Sequence, residues 1–163
     1  MPHGPTRNLT GRIIAAGLIA GALDLLYVEA LVVWIMHRPT TFVRILQSIA
    51  AGLYGPASFN GGASTAVQGL LLHFLIAFIW TLLFLLLVRR WADLRSVVAS
   101  PGGAWKAGLP YGCLVWLVME LVVVPLSHAK PVPLSNWIFW VDLAQQAIMV
   151  GVPIALLIGT GEA

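Results

Sequence analysis

Charge is what this chain has least of. Of its 163 residues, 9% are Asp, Glu, Lys or Arg and 60% are hydrophobic. A soluble domain carries roughly 25% charged residues. That balance excludes a water-soluble globular domain and points to an integral membrane protein, one small domain over residues 1–163. The net charge of +3 is not a nucleic-acid signal. The basic residues stand at the ends of apolar runs, where they set orientation. Cysteine is nearly missing. The single one, Cys113, lies inside an apolar run, so no intrachain disulfide forms. Catalytic signatures are lacking too: no Walker loop, no GxGxxG after a strand, no CxxC, no HExxH and no GxSxG. The chemistries those motifs serve are thereby excluded, and no cofactor is expected.

What is present is apolar sequence, with a mean hydropathy of +0.92. It predicts an all-α membrane bundle with spans over about 12–36, 66–88, 105–126 and 135–158. Each is long enough for a hydrocarbon core of roughly 30 Å. Met1 to Thr10 read as a disordered segment. The first apolar run is too long for a signal-peptide core and lacks a small-x-small cleavage site. His37-Arg38-Pro39 ends the first span, and Thr40 or Thr41 caps a helix over about 41–54. There Phe42, Ile45, Leu46, Ile49 and Leu53 share one face, while Arg44, Gln47 and Ser48 lie elsewhere. That pattern predicts an amphipathic helix lying on the membrane surface or dipping into it. Gly55-Pro56 stops it, and Ser64 or Thr65 caps the second span. Trp91 to Gly103 read as a loop, and Pro153 as a kink in the fourth span.

Six basic residues (Arg7, Arg12, Arg89, Arg90, Arg95 and Lys106) fall on one side of these spans and three (Arg38, Arg44 and Lys130) on the other. The excess predicts both termini in the cytoplasm. Trp34, Trp91, Trp105, Trp137 and Trp140 fall near span ends, as an interfacial belt requires.

The chain also repeats itself. Ala16 to His37 and Ala107 to His128 align without a gap, matching Gly17 with Gly108, Gly21 with Gly112, Glu29 with Glu120 and His37 with His128. Glu and His are scarce here, so those matches weigh most. They predict two parallel two-helix units. Gly17-x-x-x-Gly21 and Gly108-x-x-x-Gly112 are expected to pack helices, the first span against the third. A homodimer face is the alternative.

Four of the six acidic residues, Asp24, Glu29, Glu120 and Asp142, lie within spans. Such residues face protein or water and have partners. Helix rise puts Glu29, Glu120 and His73 about 12 Å inside one boundary, and Gln146 about 15 Å inside. Asp142 is nearer the surface and Asp24 deeper. One reading is a hydrogen-bonded layer of protonated carboxyls holding four helices in register. The other is a titrating site open to one face, with Glu29 and Glu120 carrying protons or a cation, His73 as partner and Asp24 as relay. Tyr27, Trp80 and Trp116 read as packing. His37, His128, Arg44 and Gln47 are entrance candidates. No metal or haem site is expected: Glu-x-x-His is missing and only His73 lies well inside a span.

Arg44-Ile-Leu-Gln-Ser-Ile-Ala-Ala-Gly-Leu-Tyr-Gly55, with Phe59-Asn-Gly-Gly62 and Leu70-Leu-Leu-His-Phe-Leu75, resembles a group of uncharacterised four-helix inner-membrane proteins of bacteria. The resemblance implies the bacterial inner membrane and supplies no activity. In that group a His often stands where this chain has Gln146. The small multidrug exporters also have four helices and a Glu in the first, but are shorter and lack the surface helix. The leading functional reading is a small proton- or cation-linked transporter or channel. Its rival is a non-catalytic accessory or assembly subunit with a structural polar layer; an enzyme ranks third. Expected partners are the lipid bilayer and either further copies or a larger membrane complex, with no nucleic acid.

Overall fold

The computed structural model describes residues 9–129 and 133–159. Arg7, Lys130 and Glu162 lie outside them, as does most of the segment expected to be disordered. Among the described residues the chain is helical, without a strand. Four helices are long and apolar enough to cross a membrane: α1 (Leu9–Ile35), α3 (Gly62–Arg90), α5 (Gly103–Leu126) and α6 (Trp137–Gly159). Two shorter helices join them, α2 (Phe42–Tyr54) and α4 (Ala92–Ala99).

Local chemistry explains the boundaries. Thr41 caps α2, its hydroxyl accepting from the Arg44 amide at 3.3 Å. Gly55, at φ 75°, ends α2 in a conformation that costs glycine nothing. α3 starts at Gly62, earlier than expected, so Thr65 falls in its first turn and donates to the Ser58 carbonyl at 2.6 Å. The loop expected over Trp91 to Gly103 contains α4 instead. Leu94 and Val98, one turn apart, give that helix an apolar stripe that packs on the core.

Three spans widen into a π-helical turn, at Ala30–Ile35, Met119–Val123 and Gln146–Gly151. Pro125 and Pro153 follow the last two by two residues. A proline has no N–H and its ring crowds the preceding turn. The wide turn makes room for it. The kink expected at Pro153 takes this form.

Burial divides into two cores. Ala16 and Ala20 of α1, Phe84 and Val88 of α3, Val115 of α5 and Ile154 of α6 belong to the first. Leu25 of α1, Ile45 and Leu46 of α2 and Ala66 of α3 form the second. Arg12 donates to the carbonyls of Leu157 and Ile158, tying the start of α1 to the negative end of α6.

The small-residue motifs meet other partners than expected. The α-hydrogens of Gly17 and Gly21 face Phe78 and Phe74 of α3, while Gly108 and Gly112 lie against the α6 backbone at Val152 and Ala147. Each pair packs onto the span that follows it, rather than α1 onto α5. Sequence identity between the two motifs says nothing about which neighbour each faces.

Candidate functional site

Between the two cores the interior turns polar. On α1 the order is Ala16 and Ala20, then Asp24 and Tyr27. On α3, running the other way, His73 precedes Phe84 and Val88. The layer therefore sits at one level of the bundle. It surrounds two adjoining cavities, of about 180 and 340 Å³. Asp24, Met119 and Gln146 line both.

The smaller cavity has His73 on one wall and Asp24 on another. His73 Nε2 lies 2.8 Å from the Gly21 carbonyl. A carbonyl only accepts, so Nε2 carries the hydrogen and Nδ1 is the nitrogen left to accept a proton. Asp24 Oδ1 accepts from Gln145 Nε2 at 3.0 Å. Tyr27 donates to Asp142 Oδ1 at 2.7 Å. Both bonds join α1 to α6. Tyr27, Glu120, Asp142 and Gln145 line the larger cavity, with Trp116 beside them. Trp116 is held edge-to-face against Phe139, their ring centroids 4.2 Å apart.

The structure thus gathers Asp24, His73, Glu120, Asp142 and Gln146 from the sequence candidates. Glu29 is not with them. It lines neither cavity, and its carboxylate has no hydrogen-bond partner among the described residues. The reason is angular. Residues five apart on a helix point about 140° away from each other, so Asp24 and Glu29 cannot share a face. His73 lies further along its helix than expected because α3 begins at Gly62. It lies eleven residues from that start (73 − 62), about 16 Å, which brings it level with Gly21 and Asp24.

Sequence reasoning missed Tyr27 as a polar group and passed over Gln145. A signal existed for both. Tyr27 follows Asp24 by three positions and Gln145 follows Asp142 by three, and such neighbours share a face.

The entrance candidates divide. Gln47 is buried, and its amide donates to the Gly62 carbonyl at 3.0 Å, pinning α2 to the start of α3. His128 donates its backbone N–H to the Gly52 carbonyl at 2.9 Å, tying the α5–α6 connection to α2. His37 is exposed, with a left-handed backbone at φ 49°. Arg44 is also exposed and lines a third, larger cavity beyond the polar layer.

Three carboxyl groups, an imidazole, a phenol and two carboxamides around roomy cavities can bind water, pass protons between neighbours or hold a small cation through oxygen ligands. No group of three or more His, Cys, Asp or Glu side chains with metal-holding geometry occurs among the described residues. No protein-family model, curated protein or solved structure matches the chain.

Proposed function

We propose that this is a small proton- or cation-linked membrane transporter or channel, with Asp24 at the centre of its path. One observation carries the reading. Asp24 forms the wall shared by two cavities, with His73 across one and Asp142 and Glu120 across the other. Groups able to give and take protons thus stand in sequence from α3 through α1 to α6. Ionisable residues at membrane depth mark such pathways.

A flux assay in liposomes, with an internal pH-sensitive dye, tests this. Wild-type protein is expected to dissipate an imposed proton or cation gradient. Asp24→Asn should abolish that flux while Glu29→Gln stays near wild type. Equal flux in the wild type and Asp24→Asn, or none in the wild type, sinks the reading.

The rival reading, an accessory or assembly subunit, draws on the same bonds. Tyr27–Asp142 and Gln145–Asp24 both clamp α1 to α6, and polar side chains can serve as glue between membrane helices. Under it, Asp24→Asn loses stability and there is no flux to lose.

The finer architecture belongs to the same proposal. The two glycine pairs, each packed on the next span, and the wide turns beside Glu29 and Glu120 support two parallel two-helix units. We read α2 as an amphipathic helix at the outer surface. Trp34, Trp137 and Trp140 stand at that end and Trp91 and Trp105 at the other, all at least 51% exposed, which supports two interfacial belts. Arg12, Arg89, Arg90, Arg95 and Lys106 at the second end favour cytoplasmic termini in a bacterial inner membrane.

A further inference from the structure

A cavity of about 740 Å³ opens where α1 ends and α2 begins. Arg38 and Arg44 line it with the hydroxyl-bearing Thr40 and Ser48, and no carboxylate among the described residues contributes to its wall. Its other side is apolar, formed by Val28 and Val32 of α1, Met36 just after that helix, and Ile45 of α2.

The Arg44 guanidinium is held in place, and the backbone turn brings Arg38 to the same opening. Arg44 Nη1 donates to the Phe59 carbonyl at 3.0 Å, and its carbon sits 5.2 Å from the Phe59 ring centroid. That bond uses one of five N–H donors and leaves the rest of the fork for a ligand. Arg38 is brought back by the left-handed turn at His37, closed by its backbone N–H on the Val32 carbonyl at 3.0 Å. Pro39 then fixes the direction of the chain.

The placement runs against helix electrostatics. Arg44 occupies the first turn of α2, where the backbone dipole already supplies positive charge and acids are favoured. No acid stands in that turn. Two arginines and a helix start therefore create a positive field that the cavity wall leaves unanswered. Guanidinium forks match phosphate oxygens in geometry as well as charge. The volume falls within the range of small-molecule sites. A cationic rim over an apolar wall fits a ligand with an anionic head and an apolar body.

We propose that this cavity binds a phosphate-ester amphiphile, its phosphate on Arg38 and Arg44 and its apolar part along Val28, Val32 and Met36. The phosphate ester has two possible sources, a bilayer phospholipid or a water-soluble organophosphate. The inference does not rest on proton or cation passage through the polar layer.

Native mass spectrometry of the purified full chain tests it, with phosphatidylglycerol in one titration and glycerol phosphate in another. The wild type is expected to retain one phosphatidylglycerol. Arg38→Gln/Arg44→Gln should weaken retention about tenfold or more, since each lost charge-assisted bond alone is worth that much. Arg89→Gln/Arg90→Gln, at the other end of α3, should stay within about twofold of wild type, as a change remote from the site should. Glycerol phosphate binding with the same dependence on both arginines upholds the site and assigns it to a soluble organophosphate. Arg44 also braces the turn at Phe59, so its loss can disturb folding. Arg38→Gln alone gives up no bond to Phe59 and must still weaken binding. The proposal is overturned if neither probe binds the wild type, if Arg38→Gln binds as tightly as wild type, or if the control pair weakens binding equally.

Discussion

The phenol of Tyr27 donates a 2.7 Å hydrogen bond to the carboxylate of Asp142, from the middle of α1 to the first turns of α6. Those residues are 115 apart in the chain, so the bond forms only when the bundle closes. Hydrogen bonds between membrane helices average roughly 0.6 kcal/mol by double-mutant cycle, reaching about 1.7. Tyr27→Phe is therefore expected to destabilise the protein by about 1 kcal/mol. In a cycle with Asp142→Asn the coupling should lie between about 0.5 and 1.7 kcal/mol. Reversible unfolding in mixed micelles measures both. A coupling near zero removes the bond from the stabilising interactions.

Gly112 and Gly17 occupy matching places in the repeat but face different obstacles. A Cβ on Gly112 would stand 2.5 Å from the Ala147 Cα and the Gln146 carbonyl oxygen, both backbone atoms. On Gly17 it would meet the ring of Phe78 at 2.5 Å. A ring can turn aside, whereas a helix must translate. Gly112→Ala is expected to cost about 1–3 kcal/mol and Gly17→Ala clearly less. Melting both variants in one detergent checks the order. Equal costs would mean that Phe78 is as fixed as backbone.

Gln47 holds α2 to α3. Its amide reaches the Gly62 carbonyl at 3.0 Å and the Thr65 hydroxyl at 3.4 Å from a buried position. Gln47→Ala leaves a void and removes the donor, and about 1–3 kcal/mol should be lost. The loss should fall mainly on α2. Hydrogen exchange is expected to speed up over Phe42–Tyr54 well before it does in the first core. Uniform acceleration would contradict that local role.

The proposed orientation has a direct check. In a Cys113→Ser background, Thr40→Cys lies before α2 and Ser96→Cys within α4, at opposite ends of the spans. A membrane-impermeant maleimide is expected to label Thr40→Cys in intact cells and Ser96→Cys only after permeabilisation. The reverse pattern would invert the topology and put the arginine-lined cavity on the cytoplasmic side.

How much of this could be read from the chain follows from which physical quantity was needed. Hydropathy is a local sum, so the sequence by itself determined four helices long and apolar enough to cross a membrane, each boundary within four residues of its observed place. Capping is local too, and of the two caps the sequence offered, Thr40 and Thr41, the structure uses Thr41. The α4 helix was not, because Leu94 and Val98 form an apolar stripe only once the core gives it something to cover. Position along a helix follows from counting residues, and the count put Glu29 with His73, Glu120 and Gln146 and left Asp24 deeper, whereas Asp24 and not Glu29 lines the cavities with the other three. Azimuth does not follow from counting. Which side chains face inward depends on how each helix is rotated against its neighbours, and every wide turn resets that rotation by about one residue. Three of the four spans contain such a turn. The tertiary structure alone decided that Asp24 rather than Glu29 faces the cavities, that Tyr27 and Gln145 join it, and that Arg38 and Arg44 converge on one opening.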